Sequence, residues 1–260
     1  MDLNHTEFDL EQIPKKTFQR GIYLLPNLLT TAALFAGFYA IVAAMKGNFE
    51  VAAIAIFVAM VADSLDGRVA RLMNTQTSFG AEYDSLSDMA AFGIAPALVV
   101  YSWSLVQLGK LGWLIAFLYT ATTALRLARF NTQVTDKRYF QGLPSPAAAG
   151  ILASLVWMGS SYDLHGPSLS ILVSVLTILA SVLMVSSMRY YSFKNIDFKG
   201  KVPFFTSVII VLILVGIAID PSEVLFGLFF VYVFSGPIFT LLQLRKMRRQ
   251  RLSEHKNQKD

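Results

Sequence analysis

Apolar residues run in stretches of bilayer length from residue 22 almost to the C-terminus, separated by short polar connections. Eight stretches are legible, at 22–45, 49–71, 84–106, 109–128, 144–162, 168–188, 202–220 and 223–243. Each approaches the roughly twenty residues that a helix needs to cross a hydrocarbon core of about 30 Å. Pro144, Pro203 and Pro221 fall near stretch starts, where a missing N–H costs a helix little. The pattern predicts an all-α integral membrane protein, a bundle of about eight transmembrane helices. It divides the chain into an N-terminal segment at 1–21, a membrane domain at 22–243 and a basic tail at 244–260. The first stretch follows a polar segment and is too long for a signal-peptide core, so no cleaved leader is expected.

Composition agrees with this reading. Of the 260 residues 55% are hydrophobic and 15% charged, against about 25% charged in soluble domains. The absence of cysteine removes disulfides, thiolate metal sites and cysteine nucleophiles together. A net charge of +5 would suit a nucleic-acid partner, but its distribution does not. Twenty of the 22 basic residues fall in the N-terminal segment, the even-numbered connections and the tail, leaving Lys46 and Lys110 on the other side. The positive-inside rule therefore puts both termini in the cytoplasm. It reads the run from Arg245 to Arg251 first as a topology signal and second as an attraction to anionic headgroups. No nucleic-acid partner is expected.

The candidate chemistry lies between the second and third stretches, where residues 63–88 read DSLDGRVARLMNTQTSFGAEYDSLSD. Asp63 and Asp66 are spaced for one helix face, as are Asp84 and Asp88. Only twelve apolar residues run from Val51 to Asp63, about 18 Å of helix. The second helix must then continue through both aspartates before it reaches water. The third stretch opens with Asp84 and Asp88, so all four carboxylates meet at the cytoplasmic ends of adjacent helices, partly within the membrane. Carboxylates cost about 2.5 to 3.5 kcal/mol each at a helix centre in a bilayer, and less near its surface. Arg68 and Arg71 cannot both share the aspartate face to offset them. A pair of divalent cations does so, and hard ions such as Mg²⁺ or Mn²⁺ prefer oxygen ligands shared with substrate phosphates. The small residues Gly67 and Ala70 clear space beside the aspartates, and Gly80 lets the backbone bend around a ligand. Helix capping by a lone acid pair would be the plainer reading, but four aspartates in this setting outweigh it.

These residues resemble the signature of the CDP-alcohol phosphotransferase family, D-x2-D-G-x2-A-R-x8-G-x3-D-x3-D. Every fixed position is present, as Asp63, Asp66, Gly67, Ala70, Arg71, Gly80, Asp84 and Asp88. The resemblance implies a metal pair held by the four aspartates, with Asp63, Gly67, Ala70, Arg71 and Gly80 around the CDP group. It further implies that Asp88 takes the proton from the acceptor hydroxyl. The placement of His5, His165 and His255 in tails or on the far side agrees with that role. Three further stretches, PNLLTTAALFAGF at 26–38, YDSLSDMAAFGIAPA at 83–97 and FQGLPSPAAAG at 140–150, resemble the branch that uses L-serine. By that analogy Asn27 and Thr30 contact the CDP-lipid. The implied reaction joins CDP-diacylglycerol and L-serine to give phosphatidylserine and CMP, in a homodimer of the cell (inner) membrane.

Arg126 and Arg129 lie three apart at the cytoplasmic end of the fourth stretch. They suit the lipid phosphate or the serine carboxylate, and equally suit ordinary inside-positive residues. Ser145 is assigned no role. Glycerol 3-phosphate or an inositol phosphate is the alternative acceptor. An intramembrane prenyltransferase carries its acidic motifs far apart in sequence, unlike this hairpin. A cation or proton transporter is the reading from another class, but residues 144–260 hold no second acidic cluster to match the first.

Overall fold

The computed structural model describes residues 24–73, 75, 77–132, 139–164, 166–191 and 204–257. The expected N-terminal segment lies outside these residues, as do His5, His165, Pro203, Lys137 and Arg138.

The helices are α1 (Leu24–Met45), α2 (Phe49–Leu72), α3 (Ser78–Asp88), α4 (Ala95–Trp103), α5 (Lys110–Thr132), α6 (Ser145–Ser161), α7 (Ser170–Val185), α8 (Phe204–Ile219) and α9 (Pro221–Asn257). A π-helical turn at Met89–Ile94 joins α3 to α4 without a break, making one span of 26 residues. Five helical stretches among the described residues are long and apolar enough to cross a bilayer: α1, Ser78–Trp103, α5, Gly166–Val185 and the first part of α9. α2 is 24 residues long but carries the charges of the aspartate motif, while α6 and α8 have 17 and 16 residues. The chain is thus a helical membrane bundle in which three of the eight expected spans are short or charged.

Small residues let the helices approach closely where lipid supplies no hydrophobic drive between them. Ala33, Ala36, Ala40 and Ala43 of α1 are buried at helical spacing, facing a partner that buries Ala52, Ala55, Ile56 and Ala59 of α2. Gly37 abuts the π turn so tightly that a Cβ would sit 2.6 Å from Ala91 Cα. Tyr119 of α5 is fully buried and donates to the Phe92 carbonyl within that turn at 3.1 Å. α6 packs between α2 and α9, and α7 packs on α5.

Two boundaries and one element differ from the sequence reading. The third helix starts at Ser78 rather than at 84, because the Thr77 hydroxyl caps it by accepting from Gly80 N at 3.0 Å. Asp84 and Asp88 therefore stand inside the helix instead of at its first turn. The all-α expectation also lacked a short antiparallel ribbon, β1 (Tyr139–Gln141) with β2 (Arg189–Tyr191), in register Phe140↔Tyr190. Gly142, at φ 78°, lets the chain turn from the ribbon toward α6, and a Cβ there would collide with the Met184 carbonyl. Finally, α9 runs unbroken past residue 243 through the basic run to Asn257.

Candidate active site

The aspartates converge. One carboxylate oxygen from each of Asp63, Asp66 and Asp84 lies within 4.8 Å of the others. Asp66 is buried, and the Thr30 hydroxyl of α1 donates to its Oδ2 at 2.7 Å. The Thr30 carbonyl in turn accepts from the Ser87 hydroxyl of α3 at 3.0 Å, so one residue of α1 ties both aspartate helices together. Asp88 is not part of this trio. It stands one turn beyond Asp84, meets the Asp63 carboxyl, and lies within electrostatic reach of Asp84 and Arg126. Its buried Oδ1 has no hydrogen-bond donor among the described residues. Three gathered carboxylates beside an acid oxygen without a donor match the all-oxygen shell of a hard divalent cation, and the residues present fit such an ion.

A cleft of about 270 Å³ opens against Asp66 and Asp84. Asn27, Thr30, Gly67, Ala70, Arg71 and Gly80, all expected around the CDP group, line it together with Asp66 and Asp84. A Cβ on Gly67 would meet nothing within 4 Å, so the space beside it is open to a ligand. Asp63 does not line the cleft and contributes only to the acidic cluster. Pro26, Thr75, Thr77 and Ala81 complete the wall and were not anticipated. Thr75 is buried, with no partner for its hydroxyl among the described residues. Of these, Thr77 had a signal in the sequence, as a threonine placed to cap a helix three residues before Gly80.

The two arginines separate. Arg126 is half-buried, faces Asp88, and donates from Nη1 to the Ser145 hydroxyl at 2.8 Å, while its buried Nε has no partner among the described residues. Arg129 turns away, donating to the Gln141 side chain on β1 and to the Val185 carbonyl at the end of α7. Cations commonly sit at helix C-termini in this way. Ser145, assigned no role from the sequence, is fully buried and joins α6 to Arg126. Asn131 bonds Ser85 at 2.9 Å, fastening α5 to α3 beside the aspartates.

The fold and site are those of a helical membrane protein that gathers three aspartates, able to hold a metal, beside a cleft of about 270 Å³. A model of the CDP-alcohol phosphatidyltransferase family matches residues 23–184, and the chain belongs to that family. It is 37% identical over 227 residues, 86% of this chain and 94% of the other, to a CDP-diacylglycerol--serine O-phosphatidyltransferase of Helicobacter pylori. A protein of the same description from Mycobacterium tuberculosis is 37% identical over 180 residues, 64% of this chain and 63% of its own. An archaetidylserine synthase of Methanothermobacter thermautotrophicus is 36% identical over 168 residues, 64% of this chain and 69% of its own.

Proposed function

We propose that this chain transfers the phosphatidyl group from CDP-diacylglycerol to L-serine, forming phosphatidylserine and releasing CMP. The observation that carries the reading is the placement of Asp88 between the Asp63–Asp66–Asp84 trio and Arg126. The names of the relatives support serine, since they differ in the lipid part and share that acceptor.

The cleft along Asn27, Gly67, Ala70, Arg71 and Gly80 holds the CDP part, with its phosphates toward Asp66 and Asp84. Asp63, Asp66 and Asp84, with Asp88, would hold two divalent ions, Mg²⁺ or Mn²⁺, which would supply the positive charge that phosphates and carboxylates together lack. Arg126, which faces Asp88, holds the serine carboxylate, and Arg129 braces the ribbon. The serine hydroxyl gives its proton to Asp88 and attacks the phosphorus that carries diacylglycerol. The new P–O bond forms as the bond to CMP breaks, and CMP leaves with the bridging oxygen. The site faces the cytoplasm of the inner membrane, as do both termini, and the protein acts as a homodimer.

Purified protein with CDP-diacylglycerol, a divalent metal and one acceptor at a time tests this. L-serine releases CMP, whereas glycerol 3-phosphate and inositol phosphate do not. Arg126→Ala raises the KM for serine about ten- to a hundredfold, the effect of losing a charge-assisted contact. CMP release with glycerol 3-phosphate in preference to serine rules out this acceptor.

A further inference from the structure

The span that carries Asp84 and Asp88 changes its helical form directly after Asp88. Met89–Ile94 is π-helical, and the Ala95 N–H closes that turn on the Ala90 carbonyl, five residues back. Pro96 gives the physical reason. In an α-helix the Phe92 carbonyl would accept from the fourth residue on, but that residue is Pro96, which has no N–H and whose ring crowds the same carbonyl. The turn widens, and the Phe92 carbonyl loses its α-helical donor in a fully buried place. Tyr119 of α5, itself fully buried, supplies a donor from its hydroxyl at 3.1 Å.

Tyr119, Thr123 and Arg126 share one face of α5 at helical spacing. That face lies against the π turn. A Cβ on Gly93 would stand 3.1 Å from the Thr123 methyl group, and Arg126 lies within electrostatic reach of Asp88. Further along α5, the Asn131 amide donates to the Ser85 hydroxyl at 2.9 Å. Asp88 is therefore bracketed by two bonds from the same helix, three residues after Ser85 and four before Phe92. α1 closes on the turn as well, where Gly37 meets Ala91.

We infer that Tyr119 is a positioning residue for the reaction: by holding the Phe92 carbonyl it fixes the π turn that sets the direction of Asp88. The inference rests on the base role proposed above for Asp88. Tyr119 itself touches no substrate. A π turn alters the facing of the residues before it relative to those after it, so a loosened turn lets Asp88 shift against the aspartates on α2. A base works only within hydrogen-bond reach of its proton, and a misplacement of about 1 Å costs up to about a hundredfold.

The test is Tyr119→Phe, which keeps the buried ring and removes only the hydroxyl. Tyr190→Phe is the matched control, since Tyr190 of β2 is equally buried and donates to the Val233 carbonyl at 3.0 Å, outside the π turn. In Tyr119→Phe the kcat for CMP release is expected to fall roughly tenfold, with the KM for CDP-diacylglycerol and for serine and the Mn²⁺ requirement unchanged. Tyr190→Phe keeps the wild-type kcat. In an Asp88→Asn background Tyr119→Phe causes no further fall, as for residues that act as a unit. An unchanged kcat, an equal fall in both tyrosine variants, or a fall that persists in the Asp88→Asn background overturns the positioning role. If Asp88→Asn turns over as fast as the wild type, the base role itself fails and the inference with it, a result read independently of the tyrosine variants.

Discussion

The α1–α4 region and the α8–α9 hairpin both supply apolar spans, yet they bury that apolar surface very differently. Half of the apolar window in Ser78–Trp103 and 39% of that in α1 are buried within the protein, against 11% in Pro221–Leu241. On α8 the consecutive residues Ile209, Ile210, Val211 and Leu212 are all exposed, the mark of a helix surrounded by lipid. The residues chosen differ accordingly. Lipid solvates isoleucine as well as a protein core does, so large apolar side chains alone hold no geometry in a membrane. The aspartates need fixed distances, and alanine and glycine provide them by letting backbones touch. α9 does both, with a lipid-facing surface and one docked stripe through Phe229, Val233 and Gly236.

If the packed region exists to hold the carboxylates, substitutions there cost most. Asp88→Asn is expected to lower turnover by about 10² to 10⁴, as loss of a general base does, while retaining much of the metal binding. Asp63→Asn is expected to lose Mn²⁺ binding along with CMP release. Equal loss of Mn²⁺ binding in both variants would remove the distinct role of Asp88. Next, Thr30→Val deletes the bond to Asp66, and should weaken metal affinity about 10- to 100-fold, measured by titrating activity with Mn²⁺. An unchanged Mn²⁺ requirement would show that Asp66 needs no support from α1.

The smallest effect tests packing alone. Gly37→Ala is expected to destabilise the protein by about 1 to 3 kcal/mol through overpacking against Ala91. Gly227→Ala on α9, where a Cβ meets nothing within 4 Å, should leave stability unchanged or slightly raised. Thermal unfolding in detergent reads both. Equal shifts would erase the contrast between the regions.

Local features carried the sequence reading where the chemistry itself is local. Both aspartate pairs fall on one hairpin, and helical periodicity with span length leads to the expectation that all four carboxylates meet; Asp63, Asp66 and Asp84 gather, while Asp88 stands one turn beyond them. The family signature added Arg71 and placed Gly67, Ala70 and Gly80 around one cleft. The start of α3 was misplaced because the polar run from Thr77 to Tyr83 reads as a loop by hydropathy, although it is helical and capped. The ribbon escaped notice because its two strands have three residues each and lie far apart in the chain.

The membrane class, the aspartate motif and the asymmetry of basic residues belong to the sequence by itself, since span length, spacing and charge are properties of consecutive residues. Only the tertiary structure separated Arg126 from Arg129, two residues of the same type, spacing and predicted side. One turns to Ser145 and Asp88, the other to Gln141 and the end of α7. It likewise brought Thr30 to Asp66 and Tyr232 to the neighbourhood of Arg126, across 36 and 106 residues of chain. No periodicity encodes such meetings. They follow from which helix faces can approach, and glycine and alanine contacts on several helices decide that together.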